Sequence, residues 1–181
     1  MNGTIQDLTV RDPPTLPIMQ WDRGGLEAEG FRGFVPFSAL PDAEVPVGEG
    51  VYVVYRDSDE PPHFLKVSPG GHFKDKDPTV PVALLQSAWV TGVRVLNIGK
   101  AALGSSGRRG LDKRLNEYRR FGVGEPVAHW GGRYIWQMSD SQALLVAWRE
   151  THVQEPRLVE QAYIADFVRQ YGKRPFANLT D

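Results

Sequence analysis

The apolar positions along this chain switch between a period of two and a period of about 3.6, and each switch marks an element. "GVYVVYR" at 50–56 is an unbroken β-branched and aromatic run behind a glycine, which predicts a strand. "VRVLNIG" at 93–99 predicts a second. In "LDKRLNEYRRFG", Leu111, Leu115 and Tyr118 recur at i, i+4 and i+7, so a short helix is expected, closed by Gly122. "TVPVALLQSAWVTG" predicts another, with Thr79 as N-cap, Gly92 past its end, and Leu84, Leu85, Ala88 and Trp89 on one face. Pro156 suits the first turn of a last helix that runs to Tyr171 and stops at Gly172. "GGRYIWQM" and "ALLVAWRE", separated by "SDSQ", read as a hairpin carrying Trp136 and Trp148.

The remaining stretches are less periodic. Residues 1–30 include "RDPPTLP", which favours extended or turn backbone, and are expected to form an arm packed on the domain through Trp21. "FRGFVPFSAL" adds apolar anchors, residues 57–77 are polar with a short apolar patch at "FLKV", and "KRPFANLTD" reads as an extended tail. The expected class is α+β, with an arm over residues 1–47 and one domain over 48–181.

Two polar residues break the helical stripes. Arg114 borders the Leu111–Leu115–Tyr118 face four residues before Tyr118, which sets a guanidinium beside a phenol. A snorkelling arginine with its stem on the core explains that equally well. Glu160 precedes Tyr163, Ile164, Phe167 and Tyr171 by 3, 4, 7 and 11 residues, and so opens an apolar stripe. A carboxylate there is costly unless it is paired or binds a cation, and an Arg114–Glu160 salt bridge is the structural alternative.

Charge and composition narrow the chemistry. The net charge of −1 conceals an acidic first sixty residues, with eleven acids and four bases. Residues 94–120 carry eight bases, among them Lys100, Arg108, Arg109 and Arg114, against two acids. Such a block is either a solvated helix face or the footprint of a phosphate backbone. The chain has no cysteine, which excludes disulfides, thiolate metal sites and thiol nucleophiles. Its N-terminus shows no secretory pattern and no apolar run nears the ~18 residues that span a bilayer. A cytoplasmic protein with no membrane partner is expected. If the two strands pair, Tyr52 and Lys100 join Arg114, Tyr118 and Glu160. Lysine and arginine suit phosphate oxygens, and a single carboxylate can hold Mg²⁺ or Mn²⁺. These are the parts of a one-metal phosphodiester hydrolase.

The same residues resemble the GIY-YIG nuclease family. Gly50-Val51-Tyr52 is similar to the first motif, and Asn97-Ile98-Gly99-Lys100-Ala101 to the "YIGKA" form of the second. Arg114 in "LDKRL", Tyr118 four residues on, Glu160 on the later helix and Asn178 in "RPFAN" follow in the family's order, over about residues 48–179. The resemblance implies a small antiparallel sheet flanked by helices, with the site on one sheet face. The hairpin at 133–148 would be additional sheet, and residues 57–93 an insertion between the two motif strands. It implies metal-dependent hydrolysis of DNA, of restriction or repair type. Tyr52 would orient or deprotonate water, Lys100 and Arg114 would stabilise transition-state charge, and Glu160 would hold the metal. Tyr118 would hydrogen-bond a phosphate or metal-bound water, and Asn178 would support the shell.

Further substrate contacts are expected from Asn97, Arg108, Arg109, Lys74 and Lys76, the last two in "KVSPGGHFKDKDP", which otherwise reads as an ordinary polar loop. His129 is expected to serve a turn. Double-strand cleavage would call for a homodimer. The departure is Asn97, which stands where the family has its second tyrosine and cannot act as a base. Two other classes are therefore open: a catalytically silent DNA-binding module, and a protein-interaction domain that docks through its acidic first sixty residues.

Overall fold

The computed structural model describes residues 19–105 and 107–179. Four strands form one antiparallel sheet: β1 (Arg32–Pro36), β2 (Gly50–Tyr55), β3 (Val95–Ala101) and β4 (Leu145–Glu150), in the order β1-β4-β2-β3. Helices α1 (Arg23–Ala28), α2 (Val82–Ala88), α3 (Leu111–Gly122), α4 (Arg133–Trp136) and α5 (Pro156–Tyr171) surround it. Among the described residues no helix is long and apolar enough to cross a membrane.

All six residues of β2 are buried, because both sheet faces are covered. Tyr52 and Val54 face one core with Leu111, Leu115, Tyr118 and Phe121 of α3. Val51, Val53 and Tyr55 face a second core with Val159, Ile164 and Phe167 of α5 and with Trp21 and Leu26. The expected α+β class and the strands at 50–56 and 93–99 therefore stand, as do the helices closed near Gly122 and Gly172. Helix α3 has no side-chain cap. Its first amides, Leu111 and Asp112, donate instead to the carbonyls of Gly48 and Pro46, which ties it to the approach of β2.

Several expectations need correction. The hairpin at 133–148 does not form: Trp130–Gly132 is a 3₁₀ turn and Arg133–Trp136 is α4, so only β4 is a strand, in the interior of the sheet. Trp136 is fully buried under α3 and donates its indole N–H to the Tyr118 carbonyl at 3.0 Å. Arg32–Pro36, within the expected arm, is an edge strand of the sheet, and α1 precedes it. Trp21 packs as expected, buried and bonded to Asp166 at 3.0 Å. Residues 1–18, including "RDPPTLP", lie outside the described residues, as do Ser106, Thr180 and Asp181.

Thr79 is not a helix cap, because its hydroxyl accepts from the Ser68 amide and α2 begins after Pro81. Leu84 points to solvent. The connection from β2 to β3 is packed rather than loose. Gln137, fully buried, holds Leu65 and both backbone groups of Val80 with its amide, and Phe64 pairs with Met138.

Gly122 lies inside helical geometry, where alanine is normally preferred by about 1 kcal/mol. A Cβ on Gly122 would sit 2.1 Å from the ring atoms of the buried Trp136, so the sign reverses. Gly122→Ala is expected to destabilise the protein by about 1–3 kcal/mol in urea denaturation.

Candidate active site

The pairing of β2 with β3 sets Tyr52 opposite Gly99, Val54 opposite Asn97 and Val51 opposite Lys100. Cross-strand partners share a face, so Tyr52 and Asn97 point towards α3 while Lys100 points towards α5. Gly99 makes room for the phenol: a Cβ there would lie 2.3 Å from the Tyr52 ring. Beside this pairing, at the β3 edge of the sheet, is a hollow of about 670 Å³. Tyr52, Asn97, Lys100, Arg109, Arg114, Glu160 and Asn178 all line it. The site is therefore not confined to one face. It straddles an edge strand, with Tyr52 and Arg114 reaching in from the α3 side and Lys100 and Glu160 from the α5 side.

Glu160 ion-pairs with Lys100 rather than with Arg114. Arg114 lies beside the Tyr52 phenol and 4.0 Å from Glu117, which also takes both carboxylate contacts from Arg109, at 3.0 and 3.2 Å. Burial pushes the Tyr52 phenol above its ordinary range, and the adjacent Arg114 only partly offsets this. Tyr52 is therefore neutral at ordinary pH. Tyr118 is completely buried behind the hollow, and burial raises its phenol well above the normal range. Its hydroxyl donates to Asn97 Oδ1 at 3.5 Å.

Asn97 also donates to Asn178 Oδ1 at 3.3 Å. Asn178 does for β3 what a further strand would do. Its amide accepts from Ile98 N–H at 2.8 Å and donates to the Ile98 carbonyl at 2.7 Å, and the preceding residue, Ala177, donates its N–H to the Leu96 carbonyl. The tail is pinned there by Phe176, packed against Phe64, Trp89 and Tyr134. Arg108, Lys74 and Lys76 are exposed and do not line the hollow; the lysines lie on the loop that packs by Gly70 and Gly71 on the C-terminal end of α3.

His129, Trp130 and Arg133 also border the hollow. His129 is buried and stacked on Tyr118, with ring centroids 3.9 Å apart and planes 21° from parallel. Burial, and then the Arg114 charge, hold its pKa well below the usual histidine range. Arg133 lies 4.8 Å from the Trp130 ring centroid. Reading "GGRYIWQM" as a strand separates these side chains, whereas the helical turn at 130–136 gathers them. The "WGG" step in the sequence was the available sign of a turn.

Comparison of the chain with protein-family models, with curated proteins and with solved structures finds no match.

A buried neutral imidazole couples stability to acid. Below about pH 6.5 the unfolded chain takes up a proton at His129 that the folded chain refuses, so stability is full above that pH and falls beneath it. One such group can give a slope of at most about 1.4 kcal/mol per pH unit below that pH. Urea denaturation of wild type and His129→Phe between about pH 6.5 and 5 is expected to show a shallower acid decline in the variant, which keeps the stacked ring.

Proposed function

We propose that this chain is a divalent-metal-dependent DNA endonuclease of GIY-YIG type. The observation that carries the reading is the convergence of Tyr52, Lys100, Arg114 and Glu160 on one hollow at the edge of β3. Among the described residues that line the hollow, Lys100, Arg109, Arg114 and Arg133 are cationic and Glu160 is the one acid, a balance suited to a phosphate.

The donor set fits Mg²⁺ or Mn²⁺ held by one protein carboxylate. Among the described residues no three His, Asp or Glu side chains cluster, and Mg²⁺ commonly keeps waters and binds through one or two carboxylates plus substrate phosphates. Glu160 is the residue that would hold the ion, which when bound supplies Lewis-acid stabilisation of charge on the phosphate. The Lys100–Glu160 pair is partly exposed and contributes about 1 kcal/mol or less, so it opens at little cost. Lys100 is then released to a phosphate oxygen, and Arg114 stabilises the developing negative charge from the other side. Tyr52 works as a neutral phenol that positions water by accepting and donating hydrogen bonds. Asn97, bonded to Tyr118 and Asn178, keeps the place of the family's second tyrosine as a structural amide.

The Lys100–Glu160 pair also suits a second reading, a DNA-binding module whose acid is permanently neutralised. Supercoiled plasmid with Mg²⁺ or Mn²⁺ separates the two. Nicking by wild type is expected, with a loss of at least about 100-fold in Glu160→Ala and retained band shifts in both proteins. Shifts that weaken steeply with salt, without cutting by either protein, would establish the silent module. Absence of any DNA binding at low salt would sink both and leave a protein-interaction domain.

A further inference from the structure

The hollow is larger than a phosphate group requires and lies in the ~300–1,000 Å³ range of sites that enclose a whole small ligand. Lys100 and Arg114 account for a phosphate. The turn at 129–133, which also lines the hollow, is built from different chemistry. Trp130 borders the hollow and is only half-buried, so the residue that brings a large apolar ring to the site is partly accessible. Arg133 packs against that indole and also lies 5.8 Å from the Tyr134 centroid, with its Nε buried and without a hydrogen-bond partner.

The turn is packed against α3. His129, the residue before Trp130, stacks on Tyr118, and a Cβ on Gly132 would lie 2.4 Å from that same tyrosine ring. The indole is thereby referenced to α3, the helix that carries Arg114.

We propose that Trp130, backed by Arg133, is a stacking subsite for an unpaired nucleobase of the strand whose phosphate Lys100 and Arg114 hold. This rests on the phosphodiesterase reading and narrows its substrate class. A base inside a duplex has both faces covered by its neighbours, so an indole can stack only on a base at an end, in a bulge or overhang, or turned out of the helix. The preferred substrate is accordingly DNA with an unpaired nucleotide beside the phosphate, rather than uninterrupted duplex. Stacking tolerates any base, so the subsite reads structure and not sequence.

The test uses the full chain in EDTA, where binding is measured apart from cutting. Two fluorescein-labelled DNA hairpins are compared, one with a single bulged thymidine and one with a single-thymidine overhang, each beside a version abasic at that nucleotide. Wild type is expected to bind at least one thymidine hairpin about tenfold more tightly than its abasic version. That ratio is expected to fall below about twofold in Trp130→Ala and to persist in Trp130→Phe. Trp130→Leu fills the space without a π face and serves the same comparison should the alanine variant not fold. A ratio near one for both hairpins in wild type, or an unchanged ratio in the Ala or Leu variant, overturns the subsite. If the plasmid is nicked all the same, only the stacking inference falls; if no hairpin or plasmid is bound at all, the nuclease reading falls with it.

Discussion

The contact on which the site depends is the Tyr52 ring lying over the bare backbone of Gly99. It needs β2 and β3 paired in one register and no other. A slip by one residue would either turn Tyr52 to the α5 side or bring Lys100 round to the α3 side, and would oppose the ring with the side chain of Ile98 or Lys100 in place of Gly99. Neither strand is protected from slipping by alternation, since both faces of β2 are apolar. The register is set instead by shape, through the glycine, and by the β-bulge that shifts the pairing between Val54 and Tyr55. A family resemblance that rests on a tyrosine in one strand and a glycine in the next thus has a packing cause as well as a chemical one.

Behind that contact the polar groups are arranged to stay neutral. Tyr118 and His129 stack in a space from which water is excluded, and each would lose more by ionising than a nearby group returns. Arg114 supplies the local positive charge and has the Tyr52 hydroxyl and Glu117 beside it. Removing one member of such a set leaves a buried donor or acceptor unpaired, so these residues hold one another in position. Asn97 belongs to this layer. An amide bonded on one side to a phenol and on the other to Asn178 orders the wall of the hollow.

The sequence carried the local elements better than the relations between them. The i, i+4, i+7 stripe of α3 and the Pro156 and Gly172 boundaries of α5 are short-range signals, and they held. The segment at 130–136 did not, because a brief apolar run such as Tyr134-Ile135-Trp136 has no period long enough to tell a buried helical turn from a strand. Strand β1 was hidden for the opposite reason. Gly33 and Phe34 take positive φ values of 101° and 53°, and the resulting bulge destroys the alternation that would betray a strand. At the site, the members were legible one by one, but the partner of Glu160 was not. Arg114 and Lys100 were both available cations, and only the cross-strand register, a tertiary fact, sends Lys100 to the face where α5 lies.

That register also explains why the hollow opens at an edge. An edge strand normally exposes unpaired amides and carbonyls and invites another chain to pair with it. Here Ala177 and Asn178 take up the Leu96 and Ile98 groups of β3, so this stretch of the edge is closed without another strand, and the wall remains low. A continuing strand would have walled off the space between the α3 and α5 sides. A side-chain amide satisfies the backbone and ends there, which leaves Lys100 and Glu160 on one side and Tyr52 and Arg114 on the other within reach of the same ligand. Asn178 is in this sense the residue that shapes a sheet edge into a hollow: its hydrogen bonds are structural, and the opening they leave keeps the side chains of both faces accessible.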